Sequence, residues 1–115
     1  MKKILSILSS ILVPVVFMVS SFNVHADDSH LKEAIKHTQE AVQAVDVKTI
    51  AQHVEEAKKH ATAAQSEKPE DDYIQEGLEC LDDALQESQD DEADSARKAV
   101  DEALDKFYQA EQAAK

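Results

Sequence analysis

Apolar residues recur at intervals of three and four along residues 27–115, and this spacing predicts amphipathic helices. Short polar stretches separate four such segments, which are expected to run over about 29–45, 47–65, 70–88 and 91–113. The residues expected to face inward are Leu31, Ile35, Val42 and Val45; Ile50, Val54, Ala57, Ala61 and Ala64; Ile74, Leu78, Leu81 and Leu85; and Ala96, Val100, Leu104 and Phe107.

The polar stretches also supply helix starts. Ser29 and Asp46 are predicted to cap the first and second helices, and Pro69 is suited to the first turn of the third. Because the connections are short, neighbouring helices should be antiparallel. The predicted fold is therefore all-α, an up-down-up-down four-helix bundle.

An eight-residue phrase recurs in each predicted helix. His30-Leu-Lys-Glu-Ala-Ile-Lys-His37 returns as His53-Val-Glu-Glu-Ala-Lys-Lys-His60, and more weakly as residues 73–80 and 99–106. Each copy has an apolar second position, Glu at the fourth and Ala or Gly at the fifth. The four glutamates are Glu33, Glu56, Glu76 and Glu102. One helix per copy indicates a bundle built from a duplicated helical hairpin.

The first two copies place two histidines on one helical face with a glutamate between them. Two histidines seven residues apart are separated by two turns, roughly 10 Å, so neither helix can chelate one ion with its histidines alone. If the chain reverses near residues 45 and 46, His37 lies level with His53, and His30 with His60. The rings then either share the groove between the helices or both turn away, and the spacing allows both.

A shared groove would create two candidate metal sites. The expected ligands are His37 with His53 and Glu40 or Glu56, and His30 with His60 and Glu33 or Glu56. Imidazole with carboxylate suits Cu(II), Ni(II) or Zn(II), and the general affinity order favours copper. Protonation of the histidines should weaken binding. The alternative is that the four histidines are ordinary residues at the edge of the helix interfaces.

The composition favours cations as partners. The chain has 24 acidic and 12 basic residues and a formal net charge of −12. This charge argues against binding to nucleic acid or to anionic membrane surfaces. The alternative is that the acidic residues only form a solvated surface that keeps the protein soluble. Cys80 is the only cysteine, which excludes an internal disulfide. It is a packing residue, a soft ligand for Cu(I) or a partner in an intermolecular disulfide.

The first residues have the pattern of a cleavable signal peptide. Met1-Lys-Lys is followed by an apolar stretch over residues 4–19 and then by Val24-His25-Ala26, which suits a signal peptidase. Residues 1–26 are therefore predicted to be removed, leaving a domain over 27–115 in the periplasm or secreted, with no membrane attachment. The alternative is a retained membrane anchor, for which the apolar stretch is short.

Motifs typical of enzymes are missing from the sequence. It has no Gly-rich phosphate loop, no His-Glu-x-x-His and no pair of cysteines. Its serines have no evident base and orienting partner. We therefore expect a binding protein that catalyses no reaction.

The repeated phrases resemble the small metal-binding protein family of short exported bacterial proteins. The resemblance is closest over residues 30–65, through both His phrases and Glu40-Ala-Val42, and it continues more weakly through Gly77 to Ala84 and Val100 to Leu104. It implies a four-helix bundle that binds copper and other divalent metals through a repeated His-x-x-Glu-Ala-x-x-His.

This chain departs from the family pattern in its second half. Members carry histidines throughout, whereas this chain has none after His60. The matching positions hold Cys80, Glu87, Ala99 and Lys106. The resemblance therefore implies metal ligands only at His30, His37, His53 and His60. We predict a metal-sequestering or buffering protein, with a metal-free acidic envelope adaptor or chaperone as the alternative.

Overall fold

The computed structural model describes residues 26–114, which form four α-helices and no strand. The helices are α1 (Ala26–Gln43), α2 (Val47–Glu67), α3 (Asp72–Gln89) and α4 (Ala93–Ala113). The predicted all-helical class is confirmed. Residues 1–25 lie outside the described part of the chain, so the signal peptide over 1–26 stays a prediction. No helix between residues 26 and 114 has both the length and the apolar content needed to cross a membrane.

The helix ends differ from the predicted ones by up to three residues. α1 begins before Ser29, which therefore lies inside the helix and does not cap it. Asp46 does cap α2, since its side chain accepts a hydrogen bond of 3.1 Å from the Thr49 backbone N–H. Asp71 caps α3 in the same way through Ile74, at 3.2 Å. Such caps stabilise a helix by about 1 kcal/mol.

The connection between α3 and α4 contains a left-handed residue. Asp91 has φ of 62°, a conformation that Asp adopts more readily than most residues. The turn delays the start of α4 to Ala93, two residues after the predicted start.

The apolar stripes of the four helices meet in one core. Twelve of the residues predicted to face inward are buried, namely Leu31, Ile35, Ile50, Val54, Ala57, Ala61, Ala64, Ile74, Leu81, Ala96, Val100 and Phe107. Val42, Leu78, Leu85 and Leu104 are partly buried against it. The prediction for Val45 is wrong, because α1 ends at Gln43 and the Val45 side chain is 82% exposed in the connection.

The fifth position of each repeated phrase brings the helices close together. Ala34, Ala57, Gly77 and Ala103 all occupy this position, and all are buried. A Cβ atom at Gly77 would lie 2.8 Å from ring carbons of Phe107, closer than carbon atoms pack. The glycine therefore makes room for the largest side chain of the core.

Contacts between neighbouring helices form a closed cycle. α1 packs on α2 and α4, and α3 packs on α2 and α4. Lys58 in α2 pairs with Asp82 in α3 at 2.6 Å, and Arg97 in α4 donates a hydrogen bond of 3.4 Å to the Ala44 carbonyl just after α1. The groove between α1 and α2 lies on the outside of this arrangement and carries the four histidines.

Candidate metal centre

The four histidines of the repeated phrases face one another across the groove between α1 and α2. The ring centroids of His30 and His60 are 5.6 Å apart, and those of His37 and His53 are 6.2 Å apart. The level pairing expected from the spacing is therefore present. Of the two orientations that the sequence allowed, the structure has the one in which the rings share the groove.

The repeated phrase explains this placement. Ala34 and Ala57 lie between the histidines of their helices and are fully buried at the interface. Positions three and four residues away on either side flank that contact. The four histidines are accordingly half-buried.

The first group of potential ligands, here called the Glu40 cluster, contains His37, Glu40 and His53. Glu40 Oε1 lies 3.2 Å from His37 Nδ1 and 3.3 Å from His53 Nδ1. Two atoms bound to one ion at about 2.0 Å lie roughly 2.8 to 3.3 Å apart, according to whether the ion is square-planar or tetrahedral. Both distances from Glu40 Oε1 are thus close to those between ligands of one ion, and one ligand atom from each of the three residues lies within 4.8 Å of the others.

The second group, here called the Glu33 cluster, contains Glu33, His37 and His60. It is more open, because Glu33 Oε1 lies 3.9 Å from His37 Nε2. His30 is not a member, but its Nδ1 lies 3.4 Å from His60 Nδ1 and offers a further donor. Small side-chain movements would be needed to close this cluster around an ion.

His37 belongs to both clusters, and one of its ring nitrogens is enclosed. Its ring lies parallel to that of His60, with an angle of 5° and a centroid distance of 5.6 Å. Its Nδ1 atom is shielded from solvent and makes no well-aligned hydrogen bond, although Glu40 Oε1 is close. Buried polar atoms are normally paired, so an ion between these two atoms would satisfy both of them.

Burial favours the neutral, metal-binding form of His60. Partial burial lowers the pKa of His60; the carboxylate of Glu33 opposes this effect, and nearby His37 and His30 add to it. A neutral imidazole keeps a lone pair available for a metal ion, whereas a protonated one does not.

Glu56 is not a member of either cluster. The sequence offered Glu40 or Glu56 for one site and Glu33 or Glu56 for the other. The structure places Glu40 in one cluster and Glu33 in the other. Glu56 is exposed and pairs with Lys59 on the same helix, at 3.3 Å.

The second hairpin has an internal cation at the equivalent place. By their positions in the repeated phrase, Glu76, Cys80 and Lys106 correspond to Glu33, His37 and His60. Lys106 Nζ lies 3.1 Å from Glu76 Oε1, and Cys80 and Lys106 line one open cavity of about 540 Å³. The ammonium group therefore neutralises the carboxylate that a metal ion would otherwise use.

Cys80 is a poor metal ligand in this setting. Burial and the neighbouring carboxylates of Glu102 and Asp83 raise the pKa of its thiol, and Lys106 only partly offsets them. The thiolate is the form that binds metal. Cys80 is free and partly buried, which favours its interpretation as a packing residue.

Comparison with known proteins identifies the family. The sequence matches the small metal-binding protein family over residues 1–110. The chain belongs to this family. A comparison with curated proteins gives no match. Membership supports metal ions as partners, and it agrees with the two His/Glu clusters in the described part of the chain.

Two features of the clusters were not predicted from the sequence. One oxygen of Glu40 lies close to a histidine of each helix. His37 belongs to both clusters, whereas the predicted sites shared no histidine. The spacing contained part of the first signal, since Glu40 lies only one turn from the level that His37 and His53 share, which a glutamate side chain can span. The sharing of His37 depends on side-chain rotamers, which the spacing does not determine.

Proposed function

We propose that this member of the small metal-binding protein family sequesters or buffers divalent transition metal, Cu(II) foremost, in the periplasm. The observation that carries the proposal is the Glu40 cluster. Three donor atoms from two helices meet there, and Glu40 Oε1 lies at coordination spacing from both imidazoles. Family membership independently supports metal as the partner.

The choice of copper follows from ligand chemistry. Imidazole nitrogen and carboxylate oxygen suit Cu(II), Ni(II) and Zn(II), and Cu(II) binds most tightly to a given set of such ligands. The clusters lie in an open groove with half-buried ligands, which favours exchange of the ion over permanent retention. The net charge of −12 would attract cations to the molecule.

The proposed role is storage without turnover. A buffering protein needs accessible ligands and a stable scaffold, and an antiparallel up-down-up-down bundle would supply the scaffold. The level pairing of His37 with His53, and of His30 with His60, supports antiparallel α1 and α2. The cyclic helix contacts and the short connections support the rest.

Export is supported by the first residues of the chain. Lys2 and Lys3, the apolar stretch after them and Val24-His25-Ala26 form the signal-peptide pattern. Cleavage after Ala26 would leave the helix that carries His30 and His37 in the mature protein. The periplasm is an oxidising compartment, which would favour Cu(II), the ion that these ligands suit.

Calorimetric titration of the purified protein with Cu(II) and Zn(II) near neutral pH tests the proposal. We expect saturable binding, tighter for Cu(II), that is largely lost when His37→Ala is combined with His53→Ala. Glu55→Gln is the matched control, because Glu55 is an exposed carboxylate of α2 outside both clusters. Absence of saturable binding to either ion would refute metal buffering and favour the metal-free adaptor.

A further inference from the structure

The two clusters meet at one imidazole ring. His37 Nδ1 is the atom close to Glu40 Oε1, at 3.2 Å, and His37 Nε2 is the atom close to Glu33 Oε1, at 3.9 Å. The two nitrogens lie on opposite sides of the ring, so each is turned toward a different cluster. A ring placed in this way can bind one ion through each of its two nitrogens.

We propose that His37 bridges two metal ions, with Nδ1 bound to the ion of the Glu40 cluster and Nε2 bound to the ion of the Glu33 cluster. The proposal rests on the metal-binding function proposed above and specifies how the two sites are linked. With metal–nitrogen bonds of about 2.0 Å, the two ions would be about 6 Å apart across the ring. The groove would then hold one dinuclear centre.

The remaining ligands come from both helices. Glu40 and His53 complete the first position, and Glu33 and His60 complete the second. His30 is close enough to His60, at 3.4 Å between their Nδ1 atoms, to join the second ion. The Glu40 cluster already has coordination spacing and the Glu33 cluster is more open, so the first ion should occupy the Glu40 cluster.

Binding of the second ion requires one proton to leave. Neutral imidazole has one lone pair and one N–H. The first metal–nitrogen bond uses the lone pair; the second forms as the N–H bond breaks, and the proton passes to water. The resulting imidazolate carries one negative charge between two divalent cations. No oxidant or reductant takes part.

Electron paramagnetic resonance of the purified protein, loaded with one and then two Cu(II) ions per chain, tests the bridge. With one ion we expect a normal mononuclear signal that accounts for all bound copper. With two ions we expect loss of most of the integrated intensity at liquid-helium temperature, because an imidazolate couples the two spins antiferromagnetically. On warming, population of the triplet state should give a half-field transition. The Glu55→Gln control should behave in the same way.

His37→Ala should abolish the coupling. Any two ions that this variant still binds should give the full, additive mononuclear signal. The bridge is overturned if the unaltered protein binds two Cu(II) ions with the full additive intensity and no half-field transition, or if it binds only one ion. Failure to bind copper at all would instead overturn the proposed function, so the two failures are distinguishable.

Discussion

At the scale of single residues, the proposed metal site depends on one atom from each of three side chains. Glu40 Oε1 is the oxygen common to His37 and His53, at 3.2 and 3.3 Å. His37 Nδ1 is enclosed and has no well-aligned hydrogen bond. In a metal-free protein this arrangement leaves a buried polar atom unsatisfied, which costs free energy. A bound ion would remove that cost.

Glu40→Gln is therefore expected to weaken the tighter copper site. The amide keeps the shape of the side chain but removes the negative charge and is a weaker ligand. We expect the Kd for the first Cu(II) ion to rise at least about tenfold, which corresponds to about 1.4 kcal/mol. Calorimetry with a competing chelator measures this change. An unchanged Kd, with circular dichroism showing an intact helical fold, would mean that Glu40 is not a ligand.

His60 supplies a pH prediction for the metal-free protein. Because burial lowers the pKa of His60, we expect its ring to titrate below the ordinary value of about 6.5. The neutral form is favoured by folding, so its contribution to stability is complete above about pH 6.5 and is lost as the pH falls through the lower, folded-state pKa. Proton NMR of the ring Cε1–H measures the midpoint, and a midpoint above 6.5 would contradict the assignment.

At the scale of the helices, the side chains that flank the repeated phrase differ between the two hairpins. This difference is the reason to expect metal binding by one hairpin and not by the other. Both hairpins carry the repeated phrase and a buried small residue at its fifth position. In the first hairpin the flanking positions hold histidines. In the second, Lys106 pairs with Glu76 at 3.1 Å, so the carboxylate at the equivalent position already has a cation as its partner. The difference lies in side chains on a common backbone pattern.

Cys80→His combined with Lys106→His should give the second hairpin a metal site. These changes recreate the Glu33, His37 and His60 pattern around Glu76, and both positions are only partly buried. We expect the number of Cu(II) ions bound per chain to rise by one, measured by equilibrium dialysis with metal analysis. Lys106→Met, which removes the cation without adding a ligand, is the control and should bind no extra ion. If the folded double variant also binds no extra ion, the equivalence of the two hairpins is wrong.

Helix positions and the level pairing of the histidines followed from the sequence, whereas the ligand geometry did not. A period near 3.6 fixes which residues share a face, so every inward residue predicted in α2 is buried. Helix ends depend instead on local turns, as Val45 and Asp91 show. Side-chain rotamers and packing against the opposite helix determine which oxygen or nitrogen atom lies in the groove. The spacing of residues along the sequence does not determine either of them.

At the scale of the whole molecule, the proposed sites would link metal binding to folding. The ligands of each cluster come from both α1 and α2, so an ion holds two helices together only when the chain is folded. The formal net charge of −12 also makes the metal-free protein repel itself, and bound cations reduce this repulsion.

Copper should therefore raise the thermal stability of the protein. A ligand that binds only the folded state adds about 2.7 kcal/mol at a free concentration of 100 times its Kd. We expect the Tm measured by circular dichroism to increase with the free Cu(II) concentration, and the increase to shrink in the variant that combines His37→Ala with His53→Ala. An equal increase in that variant would place the stabilising ion elsewhere.

The most direct test of the central claim is the position of the metal itself. Crystals of the Cu(II)-loaded protein, measured at the copper absorption edge, should show an anomalous peak between α1 and α2, within bonding distance of Glu40 Oε1 and of the Nδ1 atoms of His37 and His53. A groove without a peak, with the copper bound instead at surface carboxylates outside it, would contradict the account.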